Sequence, residues 1–134
     1  MGAGPNRAGD SGIHTHMTNS LNTPVEALER YYPIRIREYR IRRRSGGRGK
    51  NRGGDGICRS LEVLTDCQVT ILSERRRHAP YGLAGGGAGR KGTNSLSLAG
   101  GQNRRLRGKA TLDLQGGDIL TIETPGGGGW GKGR

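Results

Sequence analysis

A chain of 134 residues is one domain at most, or part of one. Leu, Ile, Val and Phe supply only 23 residues against a net charge of +12, a balance that by itself points to disorder, but the 27 glycines fall in clusters between short apolar segments, as in a β-rich fold with turns at near-regular intervals. No apolar run is long enough to span a membrane and no secretory signal follows Met1, so the expectation is a cytoplasmic chain with reduced thiols at Cys58 and Cys67.

Residues 1–13 read as loop, and 14–19 are compatible with extended chain. Thr23-Pro24-Val25-Glu26 has the form of a capping box, with Thr23 at N-cap, Pro24 at N1 and Glu26 at N3. It predicts a short helix over 24–30 that must stop before Pro33. A strand is predicted over 34–43. Ile34 and Ile36 alternate with Arg35 and Arg37, whereas Tyr39 and Ile41 continue with the opposite parity, which places a bulge near Glu38. A Gly/Arg turn covers 45–56. Residues 57–64 and 68–74 read as a hairpin about Thr65-Asp66. A long loop over 75–92 leads to a strand at 94–98 and a turn at 100–104. Strands at 109–114 and 118–124 and a glycine-rich end complete the chain. The sum is mainly β, a sandwich or open-barrel-like layer with one short helix near the N-terminus. Residues 1–30 hold the loop and helix, and 31–134 the strands and glycine loops. The apolar content is thin for a free-standing domain, so the sheet is expected to pack against something outside this chain.

Ten of the 23 basic residues lie between Arg30 and Arg52, against one acid, Glu38. One reading is a basic RNA-binding accessory protein that uses the Arg/Gly-rich segment 35–54. The other, which the strand alternation favours, is the solvated face of a strand and the turn after it. RNA-binding Arg/Gly tracts repeat and carry aromatics, and this one does neither.

The densest chemistry lies in 11–29. His14 and His16 have the i, i+2 spacing that lets two imidazoles share a metal, but no third ligand stands near them. They are weak metal candidates only. Asn19 leads a polar run that would suit an amide- or carboxylate-binding pocket, though such residues also satisfy local backbone groups ahead of a helix. Ser73-Glu74-Arg75-Arg76 follows a predicted strand. Its arginines could clamp a phosphate or carboxylate, or simply pair with Glu74. Gly87-Ala88-Gly89-Arg90-Lys91-Gly92 fits G-x-G-x-x-G only literally, since a strand and not a helix follows it. No catalytic triad is convincing, and no catalytic residue is assigned.

Several of these stretches recur together in a known family. Residues 12–26, Gly-Ile-His-Thr-His-Met-Thr-Asn-Ser-Leu-Asn-Thr-Pro-Val-Glu, resemble a signature of the hydantoinase B/5-oxoprolinase family, with Ser20 where Thr would be expected. Tyr32-Pro33-Ile34-Arg35, Ser45-Gly46-Gly47, Arg52-Gly53-Gly54-Asp55-Gly56, Ser73-Glu74-Arg75-Arg76, Pro80-Tyr81-Gly82-Leu83, Gly117-Asp118 and Thr124-Pro125-Gly126-Gly127-Gly128-Gly129 follow in the family's order. The resemblance covers nearly the whole chain. It implies an ATP-dependent hydrolase that opens cyclic amides such as 5-oxoproline or hydantoins, with N-methylhydantoinase B-type subunits and acetone carboxylase as relatives. It implies an A-type partner that binds ATP with Mg, a small cyclic amide substrate, and a longer B-type subunit of which this chain is the C-terminal segment, inactive alone. A divalent metal would belong to the rest of that subunit. His16, Asn19 and Arg75 match family motifs and are the candidate substrate-binding residues.

Overall fold

A computed structural model describes residues 1–13 and 21–133. Its elements are α1 (Val25–Tyr31), β1 (Ile34–Arg42), β2 (Gly56–Val63), β3 (Cys67–Leu72), β4 (Thr93–Ser97), β5 (Asn103–Leu106), β6 (Lys109–Leu114) and β7 (Ile119–Glu123). Among the described residues no helix is long and apolar enough to cross a membrane.

The strands form two antiparallel sheets, one in the order β1-β2-β7-β4-β5 and the other β3-β6. Both are open sheets and neither closes into a barrel. Alternation explains how they stack. Leu61 and Val63 of β2, Leu96 of β4 and Leu120 of β7 point to one face, which the β3-β6 ribbon covers with Val69, Leu112 and Leu114. The opposite face carries Ser60, Thr121 and Ser95 side by side, so this sheet is polar on one side and apolar on the other.

β1 is an edge strand. Its register against β2 shifts between Ile36 and Glu38, the bulge that the parity change predicts. Helix α1 lies beside it, and Glu29 accepts the open N–H of Ile36 at 2.7 Å, which blunts the free edge.

Three local expectations need correction. The capping box does not form. Pro24 keeps an extended ψ of 145° and is itself the N-cap, with no side-chain cap bond, so the helix starts one residue late and Thr23 falls outside it. The predicted 57–64/68–74 hairpin is absent. β2 already has β1 and β7 on its two edges, so the chain crosses at 64–66 and β3 pairs with β6 in the other sheet. Asp66 marks the crossing by accepting the Gly116 N–H at 3.0 Å. The turn expected at 100–104 instead leads into β5, whose Asn103, Arg104 and Arg105 are all exposed and therefore lack the apolar alternation that marks a strand.

At one end of the sandwich the glycine segments meet. Residues 126–131 run through the centre of a bundle made with 1–9, 45–54 and 80–90. Gly47 donates to Gly127 O, Gly127 to Gly54 O, Gly54 to Met1 O, Gly129 to Gly87 O and Leu83 to Gly129 O, all at 2.8–2.9 Å. The backbones approach so closely that a Cβ on Gly128 would lie 1.9 Å from the Tyr81 carbonyl oxygen, and one on Gly126 2.0 Å from that of Ser45. This is the crowding that admits only glycine at the axis of a collagen triple helix. Segment 45–56 is thus folded into the bundle, with Ser45, Gly47, Gly53 and Gly54 buried.

Asp55 organises this end. Its carboxylate accepts the N–H of Gly46 at 2.8 Å and of Arg44 at 3.2 Å and pairs with Arg52 at 2.7 Å. Burial alone would raise its pKa, but the Gly46 and Arg44 amides and the Arg52 charge outweigh that and hold it below the ordinary 3.8. Arg44 is held at φ 62°, a left-handed conformation that costs a non-glycine residue about 1–2 kcal/mol. Asp118 does a similar service between the sheets, accepting the N–H of Ala99 and of Gln115, each at 3.0 Å. Cys58 and Cys67 are free thiols in different sheets.

Candidate functional site

The Ser73-Glu74-Arg75-Arg76 motif lies where β3 ends, at the open end of the sandwich beside the glycine bundle. Neither arginine pairs with Glu74, whose exposed carboxylate has Lys109 as its neighbour at 3.9 Å. Arg76 turns inward. Its Nε donates to Asn94 Oδ1 at 3.0 Å and its Nη1 to the Glu74 carbonyl at 2.6 Å. Asn94 is fully buried and donates in turn to Ser73 Oγ at 2.9 Å and to the Arg107 carbonyl at 3.2 Å. Burial, and then the nearby Arg42 charge, lower the pKa of Arg76, and no carboxylate among the described residues pairs with it. Gly92 makes room for it, since a Cβ there would lie 2.4 Å from Nη1.

Arg75 stays at the surface in the left-handed region, at φ 58°. Its guanidinium lies 5.7 Å from the Tyr81 ring centroid, and its carbonyl accepts the Gly92 N–H at 3.0 Å. Together Arg75 and Arg76 border an open trough of about 690 Å³ between the two sheets, walled by Leu61, Val69, Ile71 and Ile122.

His14, His16 and Asn19 lie outside the described residues. The chain on either side of them is described. Gly12 donates to the Asp55 carbonyl at 2.9 Å and abuts the Ile41 and Ile57 side chains. Asn22 Nδ2 donates to the Tyr39 hydroxyl at 2.6 Å. By register, Tyr39, Ile41 and Ile57 share the sheet face of Leu61 and Ile122. Both flanks of the histidine segment therefore meet the face on which the trough opens. Arg59 stands on that face as well, across from Ile122, with its guanidinium 5.5 Å from the Tyr39 ring centroid and its buried Nε unpartnered among the described residues.

Arg59 and Asn94 were not singled out from the sequence, yet both carry a legible sign. Arg59 falls on the parity of Ile57, Leu61 and Val63, and Asn94 on that of Leu96 and Leu98. A polar residue on the apolar parity of a strand must find a partner or serve a site.

Guanidinium groups without carboxylate partners beside an apolar wall suit a small molecule with an apolar body and a carboxylate or polarised carbonyl. Among the described residues no three His, Cys, Asp or Glu side chains gather as metal ligands. The arrangement offers hydrogen-bond donors and an apolar wall, the chemistry of ligand binding and orientation.

Comparison with known proteins bears on the whole chain. Residues 1–133 match the family Hydantoinase B/oxoprolinase. The chain is 45% identical over 131 residues to 5-oxoprolinase 1 of Arabidopsis thaliana, a match that takes in 98% of this chain and 10% of that protein. It thus spans about a tenth of that relative's length. The fold is similar to a nucleotide-free structure of acetone carboxylase, with a TM-score of 0.80 at 19% identity over 97% of this chain and 22% of the other. It is also similar to the ATP-dependent caprolactamase from Pseudomonas jessenii, with a TM-score of 0.66 at 22% identity over 92% of this chain and 24% of the other. At those identities the likeness is one of fold.

Proposed function

Because the chain belongs to the hydantoinase B/oxoprolinase family, we propose that residues 1–134 form the C-terminal β-rich segment of a B-type subunit that works in the cytoplasm, with an ATP-binding A-type partner, to open cyclic amides of the 5-oxoproline or hydantoin type. What supports this reading is the match over residues 1–133 to a family whose relatives include a 5-oxoprolinase and whose structural neighbours include an ATP-dependent caprolactamase.

The chemistry is consistent with the trough. An amide is a poor electrophile, and ATP supplies the phosphoryl group that makes its oxygen a leaving group. Five carboxylates of this chain are already engaged. Asp55 and Asp118 are engaged by backbone amides, and Glu38, Glu62 and Glu123 pair with arginines. As the family resemblance implies, ATP with Mg is assigned to the A-type part, and any divalent metal to the remainder of the B-type subunit, where His14 and His16 would need further ligands. In this chain Arg75 would hold the substrate's carboxylate or carbonyl at the trough, with His16 and Asn19 contributing from the segment tethered at Gly12 and Asn22. The trough is open on one side, so the isolated chain is expected to be inactive.

The test is ATP-dependent ring opening by the full-length subunit with its partner, comparing His16→Ala, Asn19→Ala and Arg75→Ala. Each is expected to lower kcat/KM at least about tenfold, the value of one charge-assisted contact, with the melting temperature unchanged. Wild-type turnover in all three would remove the trough from the reaction.

A further inference from the structure

The glycine bundle holds a second concavity of different chemistry. It is open, about 540 Å³ in volume, and lined by Arg44, Arg48, Arg52 and Arg90 over the backbone of Gly46 and Gly87. One carboxylate stands beside it, Asp55, already committed to Arg52 and to the amides of Arg44 and Gly46. Among the described residues Arg44, Arg48 and Arg90 have no salt-bridge partner.

Four cations around one cavity repel one another, and only Arg52 has a structural partner there, Asp55; the rest of the bundle is closed by backbone bonds. Each of the four is nevertheless fixed through its main chain by a different segment. Arg44 is held in the left-handed region with its N–H on Asp55. The Arg48 carbonyl accepts the Gly87 N–H at 2.6 Å, and the Arg52 carbonyl that of Gly9 at 2.8 Å. Arg90 donates to the Ser45 carbonyl at 2.7 Å and accepts from Gly126 at 3.1 Å. The glycine walls leave the guanidinium groups as nearly the whole side-chain chemistry of the cup.

We propose that this arginine cup binds a phosphate-type oxyanion. Planar guanidinium forks match tetrahedral oxyanions with paired N–H donors, and several on a prearranged backbone bind without first being gathered. The same contacts would serve free phosphate or the terminal phosphates of a nucleotide. The cup does not rest on the ring-opening reading, because none of its residues borders the trough.

The experiment is calorimetric titration of the full-length protein with pyrophosphate at low ionic strength, comparing wild type, Arg48→Ala/Arg90→Ala and Arg104→Ala, a control on the exposed strand β5. The double variant is expected to lose one pyrophosphate equivalent, or to bind that equivalent at least tenfold more weakly, with wild-type melting and an unaffected control. Identical titrations of wild type and double variant overturn the proposal. So does an equal loss in Arg104→Ala, which would mean diffuse charge. Repeating the titration with orthophosphate separates the sources: saturation by orthophosphate assigns the free ion, and binding of pyrophosphate alone assigns a phosphoanhydride tail. A single-stranded RNA oligonucleotide that binds through Arg48 and Arg90 and is not displaced by pyrophosphate also overturns it, in favour of nucleic acid.

Discussion

In the sandwich, Leu96 and Val63 are buried against other side chains. In the bundle, Gly128 and Gly126 are buried against the carbonyls of Tyr81 and Ser45. One region excludes water with apolar surface, the other by pressing backbones together until nothing larger than hydrogen fits. The first tolerates a change of shape at the cost of a cavity. The second has no slack, because its contacts are backbone atoms that no rotamer change can move aside.

That contrast can be broken most sharply at Gly128. Placing a methyl 1.9 Å from the Tyr81 oxygen cannot be relieved by a rotamer change. Gly128→Ala is expected to cost more than about 4 kcal/mol in chemical denaturation, at the extreme of single-site effects. Leu96→Ala, in the fully buried centre of the sandwich, is expected to cost about 3 kcal/mol by truncation and cavity formation. Hydrogen exchange should then show β4 and β7 losing protection while the amides of Gly127 and Gly129 keep theirs. Equal loss in both regions would mean that they unfold as one unit.

A smaller effect comes through Asp55. Its carboxylate is held below the ordinary 3.8, so its contribution is fully present above that value and disappears as pH falls through the depressed folded-state value. Stability of the bundle should therefore fall below about pH 3.8, whereas an Asp55→Asn variant should lack this acid-dependent part. The substitution itself is expected to cost about 2 kcal/mol, because it weakens charge-assisted bonds to Arg52 and the loop amides.

Much of the layout is legible in the residues. The alternation of Ile34 and Ile36 with arginine marks β1, and the parity change at Tyr39 marks its bulge. The family motifs, read in order, are borne out over residues 1–133. What misleads is local pattern that depends on a distant partner. Thr65-Asp66 looks like a hairpin turn, but whether β3 returns to β2 depends on the edge that β7 occupies, and β7 lies some fifty residues downstream. The Thr23 capping box has the right letters, yet Pro24 remains extended and moves the helix start past it. In the motif at 73–76 the sequence directs attention to Arg75, whereas Arg76 is the residue that Asn94 holds inward.

The sequence by itself determined most of the extended segments, the bulge in β1 and the family it joins, because periodicity and ordered motifs are local properties. Tertiary structure alone decided that the glycine segments at 1–9, 45–54, 80–90 and 126–131 form one bundle, that Arg44, Arg48, Arg52 and Arg90 line one cup, and that Arg75 borders the trough on whose sheet face the flanks of the histidine segment lie. The physical reason is that a glycine run carries no side-chain pattern to say what it packs against. Its partners are chosen by backbone hydrogen bonds between segments that the sequence keeps far apart.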